Sequence, residues 1–89
     1  MNRRRYEVKE IDAWLGSDDE WYWNDVYYLG MLTTTAGTKQ GLKKALNMFL
    51  INHSRILNSC DICYYYDGDI LEIHERFTDR PLFAMIPLF

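Results

Sequence analysis

Thr38-Lys39-Gln40-Gly41-Leu42-Lys43-Lys44-Ala45-Leu46-Asn47-Met48-Phe49-Leu50-Ile51-Asn52-His53 decides the fold, because it carries helical periodicity in a chain that otherwise reads as strand and turn. Leu42, Ala45, Leu46, Phe49, Leu50 and His53 recur at three- and four-residue intervals, and the series continues to Ile56 and Leu57. Thr38 offers a hydroxyl that can accept from the first-turn amides. Lys39, Lys43, Lys44 and Asn47 take the wet side. The spacing predicts an amphipathic helix from about Lys39 to His53, with Phe49 central to its buried stripe and fraying near Asn58-Ser59.

Working outward, both flanks alternate with the period of a strand. Tyr6 and Val8 share one parity, and Ile11, Ala13 and Leu15 share the other, so the stretch Arg5 to Leu15 predicts a β-bulge near Lys9-Glu10. Gly16 to Glu20 has turn composition. Trp21 to Thr35 is a second strand, dense in rings and β-branched residues, with a kink or bulge at Asn24-Asp25 and a bare patch at Gly30. Beyond the helix, Asp67-Gly68 joins Ile62–Tyr66 to Asp69–Phe77. A two-residue turn there sets Tyr66 opposite Asp69, Tyr64 opposite Leu71 and Ile62 opposite Ile73. Ile62, Tyr64, Leu71 and Ile73 then share one face, and Cys63, Tyr65, Ile70, Glu72 and His74 the other. Leu82 to Ile86 is a last strand, and Pro87 ends it or places it at an edge. The expected fold is a single α+β domain over residues 1–89, ordered β-β-α-β-β-β. It has two layers: an antiparallel sheet of about five strands, and one helix packed on one face. Residues 1–5 are expected to form a flexible basic arm.

The composition bounds function. Hydrophobic residues make up 48% of the 89 residues and charged residues 26%, which excludes a disordered chain. No apolar run approaches the ~20 residues of a membrane span, so no membrane partner is expected. The charges after Met1 do not suit a signal peptide, and two cysteines fit a cytoplasmic setting. A net charge of −3 is too mild for a duplex mimic. Charge is also segregated: residues 7–25 hold seven acids and one lysine, whereas residues 39–55 hold three lysines, one arginine and no acid.

Several constellations bear on chemistry. Cys60-x-x-Cys63 with His53 and His74 has the ligand types of a zinc site, which makes a zinc-binding domain one alternative. It lacks a Gly-rich turn and a second tight ligand pair, so neither metal nor cofactor is expected. The Thr33–Gly41 loop lacks phosphate-loop spacing and reads as a capping turn. No nucleophile elbow or forced acid–base pair is visible, and the protein is read as a non-enzyme. A second alternative is nucleic-acid binding through the basic helix and the Arg3–Arg5 arm. The acidic strand residues Glu7, Glu10, Asp12, Asp25, Glu72 and Glu75 oppose it.

The aromatic share, 16%, points elsewhere. Trp21, Tyr22, Trp23, Tyr27 and Tyr28 occupy both parities of one strand, so one helix cannot cover them all. The expected partner-binding set is Trp21, Trp23, Tyr28 and Tyr65 on the open sheet face, with Trp14 nearby and Glu7, Glu10 and Glu72 as a polar rim. The partner would be another protein or a second copy of the chain as a homodimer; the same rings could otherwise be closed over by the chain's own loops.

Tyr6-x-Val8, Trp23-Asn24-Asp25-x-Tyr27-x-x-Gly30, Leu42-x-x-Ala45-Leu46, Asp67-Gly68-Asp69 and Pro81-Leu82-Phe83-Ala84 together resemble small proteins of bacterial phages and mobile elements, anti-CRISPR inhibitors among them. The resemblance implies a protein that binds and blocks a host machine in the host cytoplasm. It carries over no catalytic residue.

Overall fold

The computed structural model describes residues 3–88. Five strands and one helix follow the expected order: β1 Arg4–Leu15, β2 Trp21–Thr34, α1 Lys39–Asn52, β3 Ile62–Tyr66, β4 Leu71–Glu75 and β5 Pro81–Pro87, with a short 3-10 turn at Ser59–Asp61. All strand pairs are antiparallel, and the sheet order is β2-β1-β5-β4-β3. β5 therefore lies at the centre of the sheet, not at an edge. Its prolines are tolerated because they occupy the first and last positions of the strand, where a missing ladder donor costs least.

Thr38 caps α1 by accepting from the Gly41 amide at 3.2 Å. Leu42, Leu46 and Leu50 are fully buried against Tyr6, Val8, Leu32, Ile62, Leu71, Ile73, Phe83 and Met85. This is the main core, between α1 and one face of the sheet. Phe49 is only half-buried: it stacks on His53 with ring centroids 3.9 Å apart and covers Gly30. A Cβ at Gly30 would lie 3.0 Å from the Phe49 ring, and φ there is +154°, so glycine alone fits. Ile56, expected to extend the stripe, falls beyond the helix end and is 83% exposed.

Two expectations about register need correction. Strand β1 keeps its alternation without a bulge, pairing residue for residue with β5 from Tyr6 to Glu10. The extra residues at the two register shifts are Leu29 and Asn24, both in β2. The apolar phase of β1 changes because the core changes sides: Tyr6 and Val8 face α1, whereas Ile11 and Ala13 pack with Ala84, Trp21 and Ile86 on the opposite face. In the second hairpin, Tyr66 pairs with Leu71, Tyr64 with Ile73 and Ile62 with Glu75, a shift of two from the expected register. The Asp67 carboxylate accepts from the amides of Asp69 and Ile70, both at 2.8 Å, which holds a four-residue turn in place of a two-residue one. A shift of two preserves parity, so the expected faces stand.

The basic arm is also corrected. Arg4 and Arg5 belong to β1, paired with Thr34 and Thr33; Met1 and Asn2 lie outside the described residues. β1 pairs with β5 only as far as Glu10, so residues 11–26 form a hairpin arm that projects beyond the body and lengthens the molecule to 45 × 28 × 23 Å. Among the described residues, no helix is long and apolar enough to cross a membrane.

Candidate interaction surface on the open face and edge strand

The face of the sheet away from α1 carries Glu7, Lys9, Ile11 and Ala13 from β1 and Trp21, Trp23, Val26, Tyr28 and Met31 from β2, with Ala84, Glu72, His74 and Tyr65 further across. Six of the seven residues expected in the binding set share this face, but they do not form one patch. β2 and β3 are the opposite edges of the sheet, four strand spacings or about 19 Å apart, so Tyr65 is remote from Trp23 and Tyr28.

Trp21 is half-buried, packed on the small second core, and its indole N–H donates to the Thr78 carbonyl at 2.8 Å. It ties the hairpin arm to the β4–β5 turn. Glu10 is the residue the expectation misplaced. It lies on the α1 side, where its carboxylate accepts from Arg55 Nε and Nη2 at 3.3 and 3.2 Å. The error follows from the bulge assigned to β1, which flips every later side chain. Glu7 pairs with Lys9 at 3.4 Å on the open face.

At the β3 edge, Tyr65, Glu72 and His74 join Asp79, a turn residue with no distinguishing mark in the sequence. His74 Nε2 lies 2.8 Å from Glu72, and its Nδ1 lies 3.0 Å from Asp79 Oδ1. The Tyr65 hydroxyl donates to that same oxygen at 2.9 Å. The hydrogen bond to the Asp79 carboxylate, with Cys63 as second cause, pushes the Tyr65 hydroxyl up to about 12. Asp79 itself sits at φ +60°, in the left-handed region that Asp tolerates better than most residues, and these hydrogen bonds join its turn to β3 and β4. Both His74 nitrogens are engaged, which leaves neither free for an incoming group.

Among the described residues, four of the seven exposed rings are on β2. Trp23, Tyr28 and Met31 are exposed on the open face. Tyr22 and Tyr27 are exposed on the reverse face, where α1 does not reach. Trp14 joins the reverse set, stacked on Tyr22 with centroids 5.1 Å apart. The Tyr22 hydroxyl donates to Asp18, which holds that carboxyl below its ordinary value and raises the phenol. The neighbouring Asp25 carboxylate raises Tyr27 in the same sense.

The alternative sites do not assemble. His53 caps α1 on the helix side, its Nδ1 2.8 Å from the Phe49 carbonyl, whereas His74 and Cys63 lie on the open face and Cys60 is in the 3-10 turn. Among the described residues no three His, Cys, Asp or Glu side chains converge as metal ligands. Lys39 donates to the Tyr64 carbonyl and Lys43 lies 4.5 Å above the Tyr64 ring, on the helix side of the sheet. The helix lysines and the open-face rings therefore do not share a surface on which a nucleic acid could stack. No protein-family model, curated protein or solved structure matches this chain.

Proposed function

We propose that this is a non-enzymatic interaction protein that presents edge strand β2 and the adjoining open face to a protein partner, another protein or a second copy of itself. The observation that supports this reading is the exposure of large rings on both sides of one strand: Tyr27 is 52% and Tyr28 57% exposed. Trp and Tyr are the residues that most often anchor protein interfaces. Trp23 and Tyr28 are the proposed anchors, and Glu7 is part of a polar rim; Tyr65 and Glu72 would serve only a partner broad enough to cross the sheet. The inhibitor role implied by the resemblance would use this surface in the cytoplasm, a setting that the free thiols of Cys60 and Cys63 suit. Affinity capture from host lysate tests the reading, comparing the wild type with a Trp23→Ala/Tyr28→Ala variant. The proposal expects the double variant to lose the partner while keeping its melting temperature. Undiminished capture by the folded variant contradicts it.

A further inference from the structure

We infer that β2 pairs antiparallel with β2 of a second copy of this chain across a two-fold axis, joining two five-stranded sheets edge to edge. The inference rests on the reading of β2 as the interaction strand and names its partner.

Edge geometry is the first argument. β2 is 14 residues long and pairs within the sheet only with β1, so its outer edge has no strand beside it. Edges are ordinarily blunted by lysine, proline, short length or bulges. β2 has neither lysine nor proline, and its bulges at Asn24 and Leu29 leave Asp25–Tyr28 and Gly30–Thr34 as regular stretches. A partner docked on one face would leave either Tyr22 and Tyr27 or Trp23 and Tyr28 bare. A strand laid alongside reaches both rows at once, as in β-augmentation.

Charge polarity identifies that strand. One end of β2 adjoins Asp18, Asp19 and Glu20 at the hairpin tip, with Asp25 just inside and directly opposite Asp12. Arg4 and Arg5 flank the other end, paired with Thr34 and Thr33. Among the described residues none of Asp18, Asp19, Glu20 and Asp25 forms an ion pair, and none of Arg3, Arg4 and Arg5 does. Antiparallel self-pairing brings each acidic tip beside the partner's arginines, twice by symmetry. Parallel pairing sets acid against acid and base against base. A two-fold arrangement also closes on itself and leaves no free β2 edge to propagate.

Mass by sedimentation or light scattering, followed against concentration and salt, tests the inference. The 10.7 kDa chain should pass to twice that mass as concentration rises, and added salt should weaken the association. Asp19→Lys/Glu20→Lys and Arg4→Glu/Arg5→Glu variants, each folded by circular dichroism, should both dimerise about tenfold more weakly. Mixing the two should restore a heterodimer of near wild-type affinity. A chain that stays monomeric up to about 1 mM overturns the inference, as does a dimer indifferent to both charge reversals. A monomer that still captures a different protein through Trp23 and Tyr28 overturns the self-pairing and leaves the interaction reading intact.

Discussion

Leu46 and Phe49 are one helical turn apart, yet they differ in what they bury. Leu46 has no solvent exposure and sits against the strands of the main core, whereas Phe49 keeps one side of its ring on His53 and open to water. Truncating a buried leucine removes its transfer energy and leaves a cavity, so Leu46→Ala should cost about 2–5 kcal/mol. Phe49→Ala removes a larger side chain but less burial, and should cost less than Leu46→Ala. Thermal or urea denaturation of the two variants checks the order; a larger loss at Phe49 would mean that the helix is rotated from the packing described. The periodicity could not make this distinction, because it places residues on a stripe without saying how far the opposing sheet extends beneath it. The bare backbone at Gly30 is what leaves room for the Phe49 ring.

At the scale of elements, hydrophobic pattern identified the helix, five strands and both hairpins, because each is amphipathic over its own length. Pattern failed where two causes give the same trace. In β1 a change of apolar parity resembles a bulge, but the strand is regular and passes from one core to another on the opposite face. That ambiguity misplaced Glu10 and spared Glu7. In the second hairpin the Asp67 side chain, not the Asp-Gly pair alone, sets the turn by accepting from two amides. These bonds hold the Asp67 carboxyl below its ordinary value, as the Tyr22 hydroxyl does for Asp18. For both groups the folded state binds protons less readily than the unfolded chain. Their stabilisation is therefore present above the unfolded pKa of about 4 and is lost as pH falls through the lower folded value. Melting temperature should drop on acidification below about pH 4, and an Asp18→Asn/Asp67→Asn variant should show a shallower drop. Identical acid profiles would show that neither hydrogen bond survives in solution.

The whole molecule is an elongated body with a hairpin arm, and the arm accounts for most of the site. Residues 11–26 outrun both β5 and α1, so a short second core of Ile11, Ala13, Trp21 and Ala84, with the Trp21–Thr78 hydrogen bond, fastens their base. The same projection leaves Tyr22 and Trp23 uncovered, and Tyr27 and Tyr28 are exposed next to it on the edge strand. The sequence showed that one helix could not cover rings of both parities. It did not show that Trp21 is spent on the arm's own attachment, or that Tyr65 is held at the far edge by Asp79, since both depend on contacts between residues distant in the chain. What remains is a ring-bearing edge strand with acid at one end and base at the other. Amide hydrogen exchange, read strand by strand in dilute and in concentrated protein, tests the pairing of that strand with its copy most directly. Amides in Asp25–Tyr28 and Gly30–Thr34 should gain protection as concentration rises, while those of edge strand β3 should not. Exchange in β2 that is unchanged by concentration, or protection gained instead at β3, would contradict it.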